Sequence, residues 1–415
     1  MMKTPLTLLA AAVSTLIGLP LSAAHAESAD VLWQKGKVML DARTRYEYVN
    51  DDSTTDPAEA LTVRIRPAFQ TGTWNGLSGL IEGEATAAVV DDYNSTRNNN
   101  AKHLKVFDPE SAEINQLLLK YVYSPMFDAT LGRQRINLDN QRFVGGVAWR
   151  QNEQTYDGLS FNLKPTKELG FYYAYINQVN TIFGSKDAKP ATNAQTQPSD
   201  VETDIHLMQV KYAYSPVLNV VGYGYLMDIE KWGASNSQSN ATYGLRLTGK
   251  QDALRYVAEY AMQSDYADQP LSYDADYYTL ELGYTLPAGL PKAEVSVGYE
   301  VLGSSDGKKG FQTPLATKHK FNGWTDMFLA TPANGLTDLY VGLNVSVLEK
   351  GKLMLEAHQY ESDKGGIEYG SEYGASFGHP LPVKGLSALG KYSSYNAKKM
   401  GADTDKVWLQ LDYKY

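Results

Sequence analysis

The sequence predicts an all-β protein, a single transmembrane antiparallel β-barrel of about 18 strands with short periplasmic turns and long extracellular loops. Three observations lead to this fold class. Many segments of about 10 residues alternate between apolar and polar side chains, and the gaps between them alternate between short and long. The chain also has a negative mean hydropathy yet contains 30 tyrosines, 6 tryptophans and 11 phenylalanines. Amphipathic rings of this kind favour membrane interfaces.

The alternation is clearest in the first and last segments. From 38 to 48, one face carries Val38, Leu40, Ala42, Thr44, Tyr46 and Tyr48, and the other carries Asp41, Arg43, Arg45 and Glu47. The last segment sets Val407, Leu409, Leu411, Tyr413 and Tyr415 against Lys406, Gln410, Asp412 and Lys414. Between them, Arg64 with Arg66 and Glu82 with Glu84 oppose apolar faces. A wall with lipid on one side and water on the other requires this period of two.

Eighteen segments follow the pattern. They are 38–48, 61–74, 77–90, 113–123, 127–136, 155–163, 168–178, 203–214, 217–228, 240–249, 252–263, 275–286, 291–302, 336–348, 352–361, 367–378, 384–396 and 404–415. Tight turns are predicted at Asn75-Gly76, Ser124-Pro125, Ser215-Pro216, Lys250-Gln251, Pro287 to Gly289 and Lys350-Gly351. Long loops fall at 91–112, 137–154, 179–202, 229–239, 264–274 and 303–335. No linker divides the chain, so residues 27–415 form one barrel domain.

The fifth segment, 127–136, breaks the alternation. Arg133 and Arg135 share parity with the apolar residues Phe127 and Leu131. Either a bulge near Gly132 shifts the phase, or the strand ends early.

The first residues predict export. Lys3 is followed by an apolar run from Leu6 to Leu21 and by Ala24-His25-Ala26, which fits the cleavage rule for a secretory signal peptide. We therefore expect a signal peptide at 1–26 and a mature chain that starts at Glu27. With the barrel pattern, this predicts a place in the outer membrane of a Gram-negative bacterium, in contact with its lipid.

Composition excludes several classes. A net charge of −9 argues against a nucleic-acid partner. The absence of cysteine excludes disulfides and thiolate metal sites. The histidines at 103, 206, 319, 358 and 379 lack metal-ligand spacing, and no Gly-x-Ser-x-Gly elbow occurs, so neither a barrel enzyme nor a cofactor is expected. Acidic turns at Asp51-Asp52 and Asp91-Asp92 lack the spacing of a calcium loop.

Basic residues cluster in the run from Gly132 to Asp157. It holds Arg133, Arg135, Arg142 and Arg150, interleaved with Asp139, Glu153 and Asp157. Guanidinium groups in a wide polar lumen would favour anionic solutes, and Arg43, Arg45, Arg64 and Arg66 on the first two strands could extend the row. The alternative is that these arginines pair with carboxylates and hold a loop to the wall. Both interpretations stay open at this point.

A second unusual segment lies in the loop before the fourteenth strand. It runs through Lys318, His319, Lys320, Phe321, Asn322, Gly323, Trp324, Thr325 and Asp326 to Phe328. Such an aromatic loop is expected to fold against the wall or into the mouth of the pore. For Phe321, Trp324 and Phe328, buried packing is favoured over stacking on a ligand.

These two segments resemble the bacterial outer-membrane alginate export porins. The resemblance rests on Asp139 to Gly145, Trp149 to Asp157, Lys318 to Asp326 and Thr331 to Leu336. It implies an 18-stranded barrel with an electropositive constriction that passes an anionic polysaccharide, and periplasmic export partners. It makes Arg133, Arg135, Arg142 and Arg150 the pore arginines, with Asp139 and Asp157 as partners. The chain is shorter than an alginate secretion porin and is acidic, so related small anionic or sugar solutes are the alternative.

Two further functions fit a barrel of this kind. A general or substrate-specific uptake porin for small solutes needs the same barrel without a polysaccharide path. A purely structural or adhesive barrel has less use for a wide lumen lined with charges, so the pattern favours a passive channel.

Overall fold

The computed structural model describes residues 28–184, 197–232, 237–287 and 292–415. The predicted signal peptide at 1–26 and part of the predicted Pro287 to Gly289 turn lie outside the described residues. Among these residues, no helix is long and apolar enough to cross a membrane.

Eighteen strands form one antiparallel sheet in which each strand pairs with its neighbours along the chain. They are β1 Lys37–Asp51, β2 Ala58–Gln70, β3 Leu77–Asp92, β4 Ser111–Ser124, β5 Phe127–Gln134, β6 Thr155–Leu163, β7 Leu169–Asn180, β8 Asp200–Ser215, β9 Leu218–Asp228, β10 Asn240–Gln251, β11 Leu254–Ser264, β12 Asp274–Thr285, β13 Ala293–Leu302, β16 Leu336–Val347, β17 Gly351–Glu361, β18 Glu368–Pro380, β19 Leu386–Ala397 and β20 Thr404–Lys414. A small hairpin, β14 Ser304–Ser305 with β15 Lys309–Gly310, lies between β13 and β16. The short helices are α1 Val31–Gln34 and a 3-10 helix at Lys318–Lys320.

The sheet closes on itself because β1 pairs with both β2 and β20. Closure gives every strand two neighbours, which is what a sheet needs in order to cross hydrocarbon without exposed edge groups. The predicted 18-stranded barrel is thus confirmed, and each predicted strand boundary lies within four residues of the observed one.

The two faces of the wall differ as the alternation predicts. Inward side chains such as Arg45 and Glu47 on β1 are buried. Outward apolar side chains are exposed, for example Ile65 at 47% and Leu409 at 58%. Apolar residues exposed on the outside and charges buried inside are the reverse of a soluble protein and are typical of a barrel in lipid.

The fifth strand ends early. β5 stops at Gln134, which leaves Arg135 in the following loop, and its register with β4 and β6 is unshifted at Gly132. Gly132 has φ +116° and faces Gly158 across the strand pair. A Cβ at Gly132 would lie 2.3 Å from the Leu117 carbonyl oxygen, so this position requires glycine.

Replacing Gly132 with alanine should therefore destabilise the barrel by about 1–3 kcal/mol, because the new Cβ meets both a positive φ and the backbone of β4. Gly222→Ala is the matched control, since a Cβ there has nothing within 4 Å. The measurement is the urea midpoint of the barrel refolded in detergent. Equal midpoints for the two variants would contradict the assignment.

Candidate pore

Two long loops fold into the lumen. Loop A is residues 135–154, between β5 and β6, and loop B is residues 303–335, between β13 and β16. The loops contact each other through a bridge between Val144 and Leu315, where the Gly145 amide donates to the Leu315 carbonyl at 2.9 Å. Val144 and Leu315 are fully buried. The two loops therefore form one plug inside the barrel.

Aromatic side chains fix this plug to the wall. Phe143 of loop A packs on Tyr223, Tyr225 and Tyr277 of the wall and on Phe311 of loop B, with ring centroids 5.3 to 6.1 Å apart. Elsewhere in loop B, Phe328 packs on Tyr360 and Tyr369. Trp324 and Phe328 are buried, as the sequence predicted, whereas Phe321 is half-buried and lines a cavity.

Arg150 is the centre of a buried ion cluster. Its guanidinium lies 2.9 Å from Glu47 of β1, 3.6 Å from Asp108 and 3.1 Å from Asp326 of loop B, and all four side chains are almost fully buried. Lys406 of β20 completes the cluster at 3.2 Å from Asp326. Burial alone would lower the pKa of Arg150, but the three carboxylates outweigh it and raise the pKa. Arg150 therefore stays charged and joins both loops to the wall.

Asp326 is held ionised by the same cluster. Burial would raise its pKa, but its contacts with His319, Lys406 and Arg150 lower it well below the usual range. The His319 Nδ1 lies 2.7 Å from Asp326, and its ring stacks on Trp149 at 4.4 Å. His319 thus links loop B to loop A.

Arg142 of loop A is also buried and paired. It donates to Glu300 of β13 and to Asn322 of loop B, both at 3.0 Å, and it lies over the Phe321 ring at 4.8 Å. Arg142 therefore also connects loop A, loop B and the wall.

Wall arginines hold loop A through its backbone. Arg43 donates to the carbonyls of Ala148 and Trp149 at 3.1 and 3.0 Å, and Arg45 donates to the Trp149 carbonyl at 2.6 Å. Arg43 also pairs with Asp412 at 2.8 Å. These bonds fix the stretch of loop A that precedes Arg150.

The other predicted arginines have carboxylate partners too. Arg64 pairs with Asp41, Arg66 with Glu84 and Glu153, Arg135 with Glu82 and Glu153, and Arg133 with Asp157. Asp157 thus has the arginine partner expected for it. Asp139 bonds instead to Gln209 at 2.6 Å and to Lys211 at 3.3 Å, so it is not paired with one of the four arginines of the run.

Lys391 of β19 is a site residue that the sequence did not reveal. Its ammonium lies 4.4 Å from the Trp149 ring, 3.7 Å from Trp324 and 5.3 Å from Trp408, and 2.8 Å from His319 Nε2. We call this group the tryptophan cage. Cation–π contacts to desolvated rings are worth about 2 kcal/mol, so the cage fastens a tryptophan from each loop to the wall.

Glu372 of β18 is the second unforeseen residue. Its carboxylate accepts hydrogen bonds from the backbone amides of Trp324 and Thr325, from the Thr325 hydroxyl and from Ser393. Gly323 has φ +82°, and a Cβ there would collide with Glu372 and the Tyr360 hydroxyl. The Asn322 to Asp326 motif therefore attaches loop B to the wall.

Among the described residues, two chambers of about 350 to 360 Å³ lie beside the plug. The outer chamber is lined by Lys318 and His319 with residues of the long loops, such as Phe183. The inner chamber is lined by Lys320, Phe321 and wall residues such as Glu356. The 3-10 helix Lys318–Lys320 therefore lies between the chambers and presents one lysine to each.

Lys318 differs from the arginines in its surroundings. Among the described residues it has no carboxylate partner, and burial together with the nearby Arg142 charge lowers the pKa of Lys318 to about 8. Lys320 is exposed and donates to the Asn140 carbonyl at 3.0 Å. Lys318 and Lys320 each line a chamber beside the plug.

The barrel resembles several solved structures. OccK9 (OpdG) of Pseudomonas aeruginosa is 13% identical over 92% of this chain and 99% of that chain, with a TM-score of 0.71. OccAB4 of Acinetobacter baumannii is 13% identical over 92% and 98%, with a TM-score of 0.70. The outer membrane protein OpdK of P. aeruginosa is 13% identical over 92% and 99%, with a TM-score of 0.67. At these identities the likeness establishes the fold alone.

Fold and plug together define an outer-membrane barrel of the porin class. Residues 36–366 match the family model for alginate export, which is most of the chain, so this protein belongs to the alginate export family. The family suggested by the two motifs is thereby confirmed. No curated protein matches the chain significantly.

The Arg150 cluster yields a direct prediction. Arg150→Met should leave the buried Glu47 without its ion-pair partner and remove one partner each from Asp108 and Asp326. Such a change typically costs about 3–5 kcal/mol and should release loop A from the wall. We expect larger and noisier single-channel currents in planar bilayers. The control is Lys364→Met, which removes an exposed lysine that is not part of the Arg150 cluster. Unchanged conductance in a folded Arg150→Met barrel would show that the cluster does not hold the plug.

Proposed function

We propose that this protein is a passive outer-membrane channel for small anionic solutes, including sugar acids, with selectivity set at the plug. The observation that carries the proposal is Lys318, a lysine between the two chambers without a carboxylate partner among the described residues. In a low-dielectric constriction a single unpaired charge selects ions strongly. Lys320, on the inner side, offers the next contact.

The pairing of the arginines moves the proposed selectivity away from them. Arg142 and Arg150 are buried and pair with carboxylates. Their charge is therefore largely neutralised within the protein. We therefore assign them, with Arg43, Arg45, Arg64, Arg66, Arg133 and Arg135, a structural role. This is the second of the two interpretations that the sequence left open.

Chamber size favours small solutes. The family resemblance predicts an anionic polysaccharide, but chambers of about 350 Å³ are at the lower end of ligand pockets. They suit a single ring or a short chain. Two plugging loops, each tied to the wall by buried ion pairs, also favour a fixed narrow path over one that widens for a polymer.

The barrel fold indicates what surrounds the protein in the cell. Its exposed outward apolar side chains would contact outer-membrane lipid, and the short turns would face the periplasm, where export partners predicted from the resemblance would dock. We propose no catalytic role. His358 pairs with Asp338 at 2.9 Å, but among the described residues its Nε2 has no hydrogen-bonded nucleophile.

The proposal predicts a pH-dependent selectivity. A lysine carries its charge below its pKa, so with a pKa of about 8 for Lys318 the group is mostly protonated at pH 7 and mostly neutral at pH 9. Anion preference should therefore be present at pH 7 and decline as the pH rises through 8. Reversal potentials across a KCl gradient in planar bilayers measure it.

Two variants complete that measurement. Lys318→Gln should abolish most of the anion preference at pH 7 and leave a flat pH profile, while Lys318→Arg should keep the preference up to pH 9 because arginine stays protonated. A cation-selective wild-type channel, or one whose selectivity ignores both substitutions, would overturn the proposal.

A further inference from the structure

An ion pair lies on the outer face of the wall. In the strand register, Arg133 of β5 lies between Leu117 of β4 and Asp157 of β6, and residues directly opposite each other share one face of a sheet. Leu117 is 52% exposed, and Leu131, two residues before Arg133 on the same strand, is 59% exposed. This is therefore the face toward lipid. Arg133 pairs with Asp157 at 2.8 Å, and about a quarter of each side chain is exposed.

This pair lies deeper in the membrane than two other charges of the outer face. Asp276 of β12 and Asp405 of β20 each bond to an outward tyrosine, and both lie nine residues from the periplasmic end of their strands. Arg133 lies only six residues from the periplasmic end of β5. With a rise of about 3.3 Å per residue and a tilt of about 40°, the difference is about 8 Å of depth. Charged side chains at membrane depth are rare and are normally covered by protein or water.

The short length of β5 produces a recess beside the pair. β5 has eight residues, whereas a transmembrane strand needs about 9–11, so loop A leaves the wall before the wall reaches the extracellular side. Residues 111–116 of β4 therefore pair with β3 but with no described residue of β5. Arg133 Nη1 fills part of the gap by donating to the Ile114 carbonyl at 3.0 Å. A polar recess thus interrupts the apolar outer surface.

Both side chains keep bonding capacity for a partner. Nε and Nη2 of Arg133 donate to Asp157 at 2.8 and 3.0 Å, and Nη1 donates to Ile114. A guanidinium has more N–H groups than these bonds use. The Asp157 carboxylate also accepts from Asn180 at 2.9 Å, which leaves it room for a further donor. The recess can therefore bind both a carboxylate and a cation.

A second copy of this chain supplies that combination of groups. The pair has no net charge, so it gives no preference to an anionic lipid headgroup. It is self-complementary under a two-fold rotation, because two barrels that face each other about an axis along the membrane normal place Arg133 of each opposite the partner's Asp157. The exposed Leu117, Leu119 and Leu131 surround the pair and provide apolar packing for such a contact.

We propose that the outer face of β4, β5 and β6 around Arg133 and Asp157 is the contact surface of a two-fold symmetric dimer of this chain in the membrane. Arg133 of each copy pairs with the partner's Asp157, while both residues keep their bonds within the chain. The contact removes the ion pair from the hydrocarbon. Because loop A leaves the wall directly after Gln134, the contact also supports the base of the plug.

Cysteine cross-linking tests this surface directly, because the chain contains no cysteine of its own. Leu131→Cys places the thiol of each copy beside the ion pair. Val341→Cys, at a similar exposure, places it on β16 at the opposite side of the barrel and is the matched control. The purified full chain is reconstituted at high dilution in phospholipid vesicles and treated with a short bifunctional maleimide. We expect Leu131→Cys to run mostly as a covalent dimer on a denaturing gel and Val341→Cys to stay monomeric.

Charge reversal separates a contact between copies from the pair within one chain. Arg133→Glu and Asp157→Lys each create like charges within the chain and across the two-fold contact, so each variant alone should lose the dimer. A mixture of the two should recover it, because both contacts across the interface then join opposite charges while the pair inside each chain stays mismatched. Copurification of differently tagged variants in detergent measures the recovery, and the gel mobility of the unheated barrel confirms that each variant is folded.

The outcomes decide between a second copy and other occupants. Equal cross-linking of the two cysteine variants, or cross-linking of neither, would overturn the dimer surface. Failure of two folded charge variants to recover a dimer on mixing would overturn the reciprocal pairing. A monomeric Leu131→Cys barrel that copurifies from cells with lipopolysaccharide only when Arg133 is present would assign the recess to a lipid headgroup. If charge reversal prevents folding, the cross-linking result decides alone, because Leu131→Cys leaves the ion pair intact.

Discussion

The need to neutralise charge inside the lumen constrains the rest of this structure. The alternating strands place Glu47, Arg45, Arg64 and Arg66 on the inner face, where a closed barrel offers them little bulk water. An unpaired charge in such surroundings is costly, so each requires an opposite charge within reach. Loop A supplies Arg150 to Glu47 and Glu153 to Arg66, whereas the partner of Arg64 is Asp41 on the wall itself. Arg150 also meets Asp326 of loop B and Asp108.

Neutralisation explains why both loops fold inward. Loop A brings arginines to an acidic wall, loop B brings Asp326 to Lys406, and Glu372 receives the backbone amides of Trp324 and Thr325. Aromatic packing around Phe143 and the tryptophan cage fills the space between these polar contacts. The plug is therefore an integral part of the barrel. The charges that are not neutralised within the protein determine the path of a solute.

The strands could be predicted because successive side chains of each strand face lipid and water alternately. This gives the sequence an apolar–polar period of two. The two inward loops were also visible, as arginine-rich and aromatic runs in long gaps. The wall residues that hold the two loops could not be predicted. Lys391 and Glu372 are ordinary inward residues of β19 and β18. Their partners in loops A and B lie 47 to 242 positions away along the chain, so no local pattern marks them.

The same limit explains the arginines. Sequence alone placed four of them in one run, and pairing and selectivity were equally consistent with that run. Whether a guanidinium is free depends on distant groups such as Glu300, 158 positions from Arg142. Lys318 lies in the second motif, and nothing in the sequence marks it as a better candidate for selectivity than the arginines.

Hydrogen–deuterium exchange of the purified barrel tests most directly whether the plug is fixed. If buried ion pairs lock loops A and B to the wall, amides at 144–145 and 324–325 should exchange as slowly as those of β1 and β18. Exchange as fast as in the exposed turns would contradict the account, because loops that open so readily could not define the path.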